Sequence, residues 1–123
     1  MAERTLGDCR ILVVEDEYLQ ADELQRELNA SGAVVLGPVG TLSDALDLVR
    51  SEQKIDGAIV DVNLHGEMAY AVADLLIERG VPLAFATGYD GSAMPNRFAN
   101  VVRCEKPIDI KQVARAIGRA IPA

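Results

Sequence analysis

Short apolar runs punctuate the chain at residues 11–14 (ILVV), 33–36 (AVVL), 58–60 (AIV), 83–86 (LAFA) and 101–102 (VV). They are continuous rather than alternating, the pattern of strands covered on both faces. Between them the apolar positions recur at helical spacing. Leu24 and Leu28 mark a first helix that stops near Ser31-Gly32. Ala45, Leu46, Leu48 and Val49 mark a second, with Thr41 or Ser43 as its N-cap. Met68, Ala71, Val72, Leu75 and Leu76 mark a third that ends at Gly80. Ile110, Val113, Ala114, Ile117 and Ile121 form the last stripe, with Asp109 as its cap. After the fourth run, Gly88, Gly91 and Pro95 disfavour a helix, so the one due there is expected to be short, irregular or absent. Strand and helix repeated five times give a doubly wound α/β fold. It has a five-stranded parallel sheet with helices on both faces, and the order 2-1-3-4-5 suits it.

Length fits one domain with a sizeable core across residues 1–123. Half of the residues are hydrophobic, which excludes a disordered chain. No apolar run is long enough to span a bilayer, and MAERTLGDCR has no signal-type apolar region, so the expected location is the cytoplasm. Lys and Arg number 12 against 19 Asp and Glu, a net charge of −7. That balance argues against nucleic acid and against an anionic membrane surface as partners. Cys9 and Cys104 match no metal or redox spacing and are expected to be small buried side chains. His65 is the single histidine; in a polar loop, it is expected to be solvated.

Ligands of open parallel sheets bind beyond the carboxyl ends of the strands. There the first run leads into Glu15-Asp16, the third into Asp61, the fourth into Thr87 and the fifth into Lys106-Pro107. The second ends in Gly37-Pro38, without a reactive side chain. In the order 2-1-3-4-5, strands 1, 3, 4 and 5 are neighbours, so these residues share one rim. Any single charge at a strand end is commonplace; the conjunction is informative. Converging carboxylates raise one another's pKa, and a hard divalent cation removes that cost. Mg²⁺ favours carboxylate oxygens and keeps open positions for a phosphoryl group. A carboxylate also serves as a nucleophile that forms an acyl phosphate, with Lys106 and Thr87 on the equatorial oxygens. Asp61 is the central nucleophile, Asp16 the direct metal ligand, Glu15 a ligand through water, and the Asn63 carbonyl completes the shell.

The pattern ILVVED (11–16), VDVNL (60–64), Thr87 and Lys106-Pro107 resembles a response-regulator receiver domain of the CheY-like, flavodoxin-like class, over residues 10 to 121. The resemblance implies Mg²⁺-dependent phosphoryl transfer from a histidine kinase or phosphotransfer protein to Asp61. It implies a metal held by Asp16, Asp61 and the Asn63 carbonyl, and a phosphoryl group gripped by Thr87 and Lys106. It also implies a Lys106–Pro107 bond that is often cis. The product is a signalling switch, monomeric or weakly dimeric and not a turnover enzyme, whose output runs through protein contact. FATGY (85–89) and DVNLHGE (61–67) look like the FAT GUY subgroup of receivers, whose members tend to work with HWE or HisKA2-type kinases.

Two departures stand out. Receivers place an aromatic switch residue three positions before the lysine; here that residue is Arg103. The signal from Thr87 is therefore expected to pass into a flexible loop over 88–100. Tyr89 either lines the site mouth or packs on that loop, and the Asn63 side chain is expected to face the phosphoryl group. The stripe Met68, Val72, Leu76 reads as core. Competing readings are weaker. A HAD-type phosphatase would want a DxD pair where this chain has Glu15-Asp16-Glu17, and acids after strand 1 would repel the phosphate of FMN. A pseudo-receiver adaptor, or a phosphate sink, is the remaining alternative.

Overall fold

Strands β1 (Arg10–Val14), β2 (Val34–Val39), β3 (Gly57–Asp61), β4 (Leu83–Thr87) and β5 (Val102–Glu105) form one sheet in the order β2-β1-β3-β4-β5. Every neighbouring pair is parallel. This computed structural model describes residues 6–88, 94–106 and 108–120. The order expected from the sequence is therefore the order found. The central strands β3 and β4 are buried at every position, which is why their sequences are continuous apolar runs rather than alternating ones.

Helices α1 (Tyr18–Ala30), α2 (Leu42–Ser51), α3 (Tyr70–Glu78) and α4 (Ile110–Ala120) cover the two faces. Period-two alternation sorts the strand side chains between them. Leu12, Val14, Ala58, Val60 and Phe85 pack with Ala45 and Val49 of α2 and with Val72 and Leu76 of α3. Ile11, Val13, Ile59, Ala84 and Cys104 pack with Leu24 and Leu28 of α1 and with Val113 and Ile117 of α4. Each such large aliphatic side chain contributes about 1.5–3 kcal/mol on burial. Cys104 is buried within this second layer and Cys9 half-buried at its edge; neither forms a disulfide. Thr41 is the N-cap of α2, its hydroxyl accepting the Asp44 N–H at 3.1 Å. Asp109 caps α4, its Oδ1 accepting the Lys111 N–H at 2.9 Å. No helix among the described residues is long and apolar enough to cross a membrane.

Three local expectations are corrected. First, β2 does not stop at Gly37-Pro38 but runs to Val39 through a bulge. Leu36 pairs with Leu12 and Val39 with Val14, so one strand spends an extra residue. Gly37 makes this possible at φ +95°, where a Cβ would stand 2.9 Å from Val39 N and 3.0 Å from Val13 O. Second, Met68 is not in the core. It belongs to a small hairpin, Asn63–Leu64 against Glu67–Met68, and is exposed. α3 starts only at Tyr70, and Ala69, Val72, Ala73 and Leu76 form its buried face.

Third, the described part of the connection between β4 and β5 is anchored. Among its described residues the helix is short, as expected: one 3-10 turn, Asn96–Phe98, preceded by Pro95. Phe98 is buried, packing edge-on against Phe85 and stacking on Tyr70, each with a centroid distance of 5.4 Å. Arg97 forms a two-pronged pair with Asp74 of α3 at 3.0 and 3.1 Å, and its guanidinium lies over the Phe98 ring. Residues 94–101 are thus tied to α3 rather than loose. Tyr89, Gly91, Pro107 and Ile121 lie outside the described residues. Phe98→Ala should lower the unfolding free energy by about 3–5 kcal/mol, read from urea denaturation monitored by circular dichroism. A loss below about 1 kcal/mol would contradict the anchoring.

Candidate functional site

Beyond β1 the chain runs into Glu15, Asp16 and Glu17 before α1 begins. The bulge in β2 sets the first of these, because the Glu15 N–H donates to Val39 O at 2.9 Å. Asp61 is the last residue of β3 and pairs with Ala86 of β4. Thr87 ends β4, and the Lys106 N–H donates to Thr87 O at 2.9 Å, so Lys106 continues the ladder one step past β5. Simple parallel register therefore delivers two acids, a hydroxyl and an ammonium to adjacent places on the carboxyl rim.

The side chains converge. Lys106 Nζ lies 2.6 Å from Asp61 Oδ2 and 3.1 Å from Glu15 Oε1. Carboxylate oxygens of Glu15, Asp16 and Asp61 all lie within 4.8 Å of one another. Asp61 Oδ1 accepts the Asn63 N–H at 3.1 Å, and Glu15 Oε2 accepts the Glu17 N–H at 3.0 Å. Glu15, Asp61 and Thr87 are buried, the polar residues inside an otherwise apolar core. A cavity of about 480 Å³ opens above Asp61, Asp16, Thr87 and Lys106, with Met68, Tyr70 and Met94 on its apolar side.

Electrostatics follow from that crowding. Glu15 is pushed up to about 7, first by burial, then by hydrogen bonding with Asp61 and that residue's charge; the Glu17 N–H and Lys106 oppose the rise. Burial acts on Asp16 in the same direction, yet hydrogen bonding to Glu15 and the charge of His65 leave it below its ordinary value. Burial would lower Lys106, but Asp61 first and then Glu15 hold it above the usual lysine range. Glu15 Oε1 is fully enclosed and accepts no hydrogen bond, though the Lys106 ammonium lies 3.1 Å away as an ion-pair partner. A buried carboxylate oxygen with spare lone pairs beside two further carboxylates is a donor set suited to a hard cation.

All six residues singled out from the sequence, Glu15, Asp16, Asp61, Asn63, Thr87 and Lys106, meet at this rim. Two details differ from expectation. The Asn63 amide oxygen turns back to accept the Gly66 N–H at 2.6 Å, closing the turn of its own hairpin. His65 is not merely solvated: its N–H donates to Asp16 Oδ2 at 3.0 Å, and its ring Nδ1 lies 3.3 Å from the same oxygen. The signal available for His65 was its place in a His-Gly turn four residues after Asp61. Arg103 is exposed on β5, opposite Phe85 in the ladder. Among the described residues, aromatic rings stand near the site at Tyr70, on the cavity wall, and at Phe98, stacked on it.

No protein-family profile matches the chain. The structure is similar to SdrG of Sphingomonas melonis Fr1, with a TM-score of 0.80 and 37% identity over 92% of this chain and 96% of that one. A BeF3-activated conformation of SdrG aligns with a TM-score of 0.73 and 35% identity, covering 98% of this chain and 100% of that one. A response regulator receiver protein of Sinorhizobium medicae has the same fold, with a TM-score of 0.76 and 21% identity over 94% and 96% of the two chains. In sequence, the chain is 35% identical over 78 residues to an uncharacterized transcriptional regulatory protein of Bacillus subtilis, YbdJ. That alignment takes in 62% of this chain and spans about a third of the length of that relative. With its sheet order, its acid–lysine rim and its likeness to SdrG along almost the full length of both chains, the chain belongs to the response-regulator receiver family.

Proposed function

We propose that this receiver is a phosphoacceptor switch in two-component signalling, with Asp61 as the residue that carries the phosphoryl group. The observation that carries this reading is the placement of Asp61 Oδ2, 2.6 Å from the Lys106 ammonium at the floor of an open cavity. An Asp61 carboxylate oxygen attacks the phosphorus of a phosphohistidine on a histidine kinase or phosphotransfer protein. The P–O bond of an acyl phosphate forms, and the P–N bond breaks with its electron pair leaving on the imidazole. Lys106, already paired with Asp61, moves onto the incoming phosphoryl oxygens as their charge grows, and the Thr87 hydroxyl donates to another of them. The apolar wall of Met68, Tyr70 and Met94 limits water around the bond that forms.

Glu15, Asp16 and Asp61, with the Asn63 carbonyl, would hold Mg²⁺; when bound, it neutralises the crowded acids and the phosphoryl charge. The oxygen-only donor set and the buried Glu15 Oε1, which accepts no hydrogen bond, support that fit. Nothing in this scheme turns over a substrate other than the protein's own acyl phosphate, so the chain is a switch rather than an enzyme. Its output is protein contact in the cytoplasm. The resemblance of FATGY at 85–89 and DVNLHGE at 61–67 to the FAT GUY subgroup favours an HWE or HisKA2-type kinase as donor. That SdrG adopts a BeF3-activated conformation supports the same chemistry for a related chain.

Incubation with acetyl phosphate and Mg²⁺, followed by intact mass, should show one added phosphoryl group. Asp61→Asn should abolish the adduct, and Lys106→Ala should slow its formation about 100-fold or more. An unchanged adduct in Asp61→Asn would refute the assignment. A second expectation concerns protons at the same acids. Glu15 binds its proton more tightly in the folded protein, at about 7 against an ordinary 4.5. Its contribution to stability is therefore complete below 4.5 and is lost as the pH rises through 7. Metal-free protein should lose up to about 3 kcal/mol from this group over that window. Urea denaturation across that range should show the loss in the parent chain and a much flatter profile in Glu15→Gln. Parallel profiles would contradict the shift.

A further inference from the structure

Two of the acids, Glu15 and Asp61, and the lysine at the rim are placed by the sheet or its immediate extension, but Asp16 stands two residues beyond the end of β1. Besides its neighbours in the acid cluster, Asp16 is reached by a contact from the far side of the site. The hairpin after Asp61 pairs Asn63 with Met68 and Leu64 with Glu67, and Leu64 is buried beneath it. Its turn carries two left-handed residues, His65 at φ 54° and Gly66 at φ 89°. That is the geometry of a tight two-residue hairpin turn, and the Asn63 side chain locks it by accepting the Gly66 N–H. Locked so, the turn lays His65 across the mouth of the site. Its N–H and its ring Nδ1 both address Asp16 Oδ2, at 3.0 and 3.3 Å. The ring is 74% exposed while Asp16 is 9% exposed, so the histidine lies as a lid on the carboxylate rather than beneath it.

From this geometry we infer that His65 is a positioning residue, fixing the Asp16 carboxylate through Oδ2 so that the cluster meets a divalent cation with its ligands already oriented. The inference rests on the reading of the acids as a Mg²⁺ site. A neutral imidazole with its proton on Nδ1 suffices for the ring contact, and no change of charge is required. Groups that hold a ligating side chain in place commonly change metal affinity 10- to 100-fold. An exposed ring should sit at or below the low end of that range.

The test separates ring from backbone. His65→Gly keeps the N–H and adopts the left-handed backbone without strain, deleting only the ring. His65→Asn places its Nδ2 donor where Nδ1 stands, and asparagine tolerates the same backbone region. Calorimetric titration of MgCl₂ into each protein, at one pH, should show Kd raised about 5- to 10-fold in His65→Gly and restored to within about twofold in His65→Asn. The rate of phosphorylation by acetyl phosphate at saturating Mg²⁺ should stay within about twofold of the parent chain in both, because the ring orients a ligand and touches no reacting atom. Equal Mg²⁺ affinity in His65→Gly and the parent chain would overturn the inference, as would a loss in His65→Gly that His65→Asn fails to restore. If the parent chain neither binds Mg²⁺ nor gains a phosphoryl group, the functional reading falls together with the inference. If it does both and His65→Gly matches it, only the role of His65 falls.

Discussion

Lys106 holds together a group of charges that would otherwise not be buried. Three carboxylates meet at one edge of a sheet whose central strands are apolar throughout, and two of the acids are almost fully enclosed. One ammonium, at 2.6 Å from Asp61 and 3.1 Å from Glu15, offsets part of that charge. It does not offset all of it, as the raised proton affinity of Glu15 shows. A buried site with net negative charge is poised to accept positive charge. The fold tolerates this residual imbalance because the site is open on one side, where solvent or a cation can enter.

The sheet is what makes the arrangement rigid. Parallel register places Asp61, Thr87 and Lys106 at consecutive strand ends, and the bulge in β2 fixes Glu15 through its backbone. Around this frame the less regular parts carry the adjustable contacts. The hairpin after Asp61 brings His65 to Asp16, and the turn after β4 brings Phe98 under Tyr70. Tyr70 belongs both to the cavity wall and to the aromatic stack that holds residues 94–101. The packed rings of Tyr70 and Phe98 thus join the cavity wall to that connection, while position 103 offers an arginine and not an aromatic.

Much of this was legible in the sequence, for physical reasons that differ by element. Buried parallel strands leave continuous apolar runs, so the five strands and the polar residues at their ends could be read directly, and with them Glu15, Asp16, Asp61, Thr87 and Lys106. Met68 was misread because it falls at helical spacing from Val72 and Leu76 while the chain is still in a hairpin; period alone does not mark where a helix begins. The extension of β2 was hidden by Gly37-Pro38, which looks like a terminator and acts as a bulge. His65 was hidden for another reason. Its partner is 49 residues away, and its reach depends on a left-handed backbone that composition does not reveal. The anchoring of 94–101 needed Phe98 to be seen against Phe85 and Tyr70, a contact among three elements.

The most direct test of the central idea is fluorine NMR of beryllofluoride, a phosphoryl mimic, added to the protein with and without Mg²⁺. A site left net negative until a cation enters predicts bound fluorine resonances that appear only when Mg²⁺ is present and that vanish in Asp61→Asn. Absence of any bound signal in the parent chain at saturating Mg²⁺ and beryllofluoride, with the protein folded, would contradict the account.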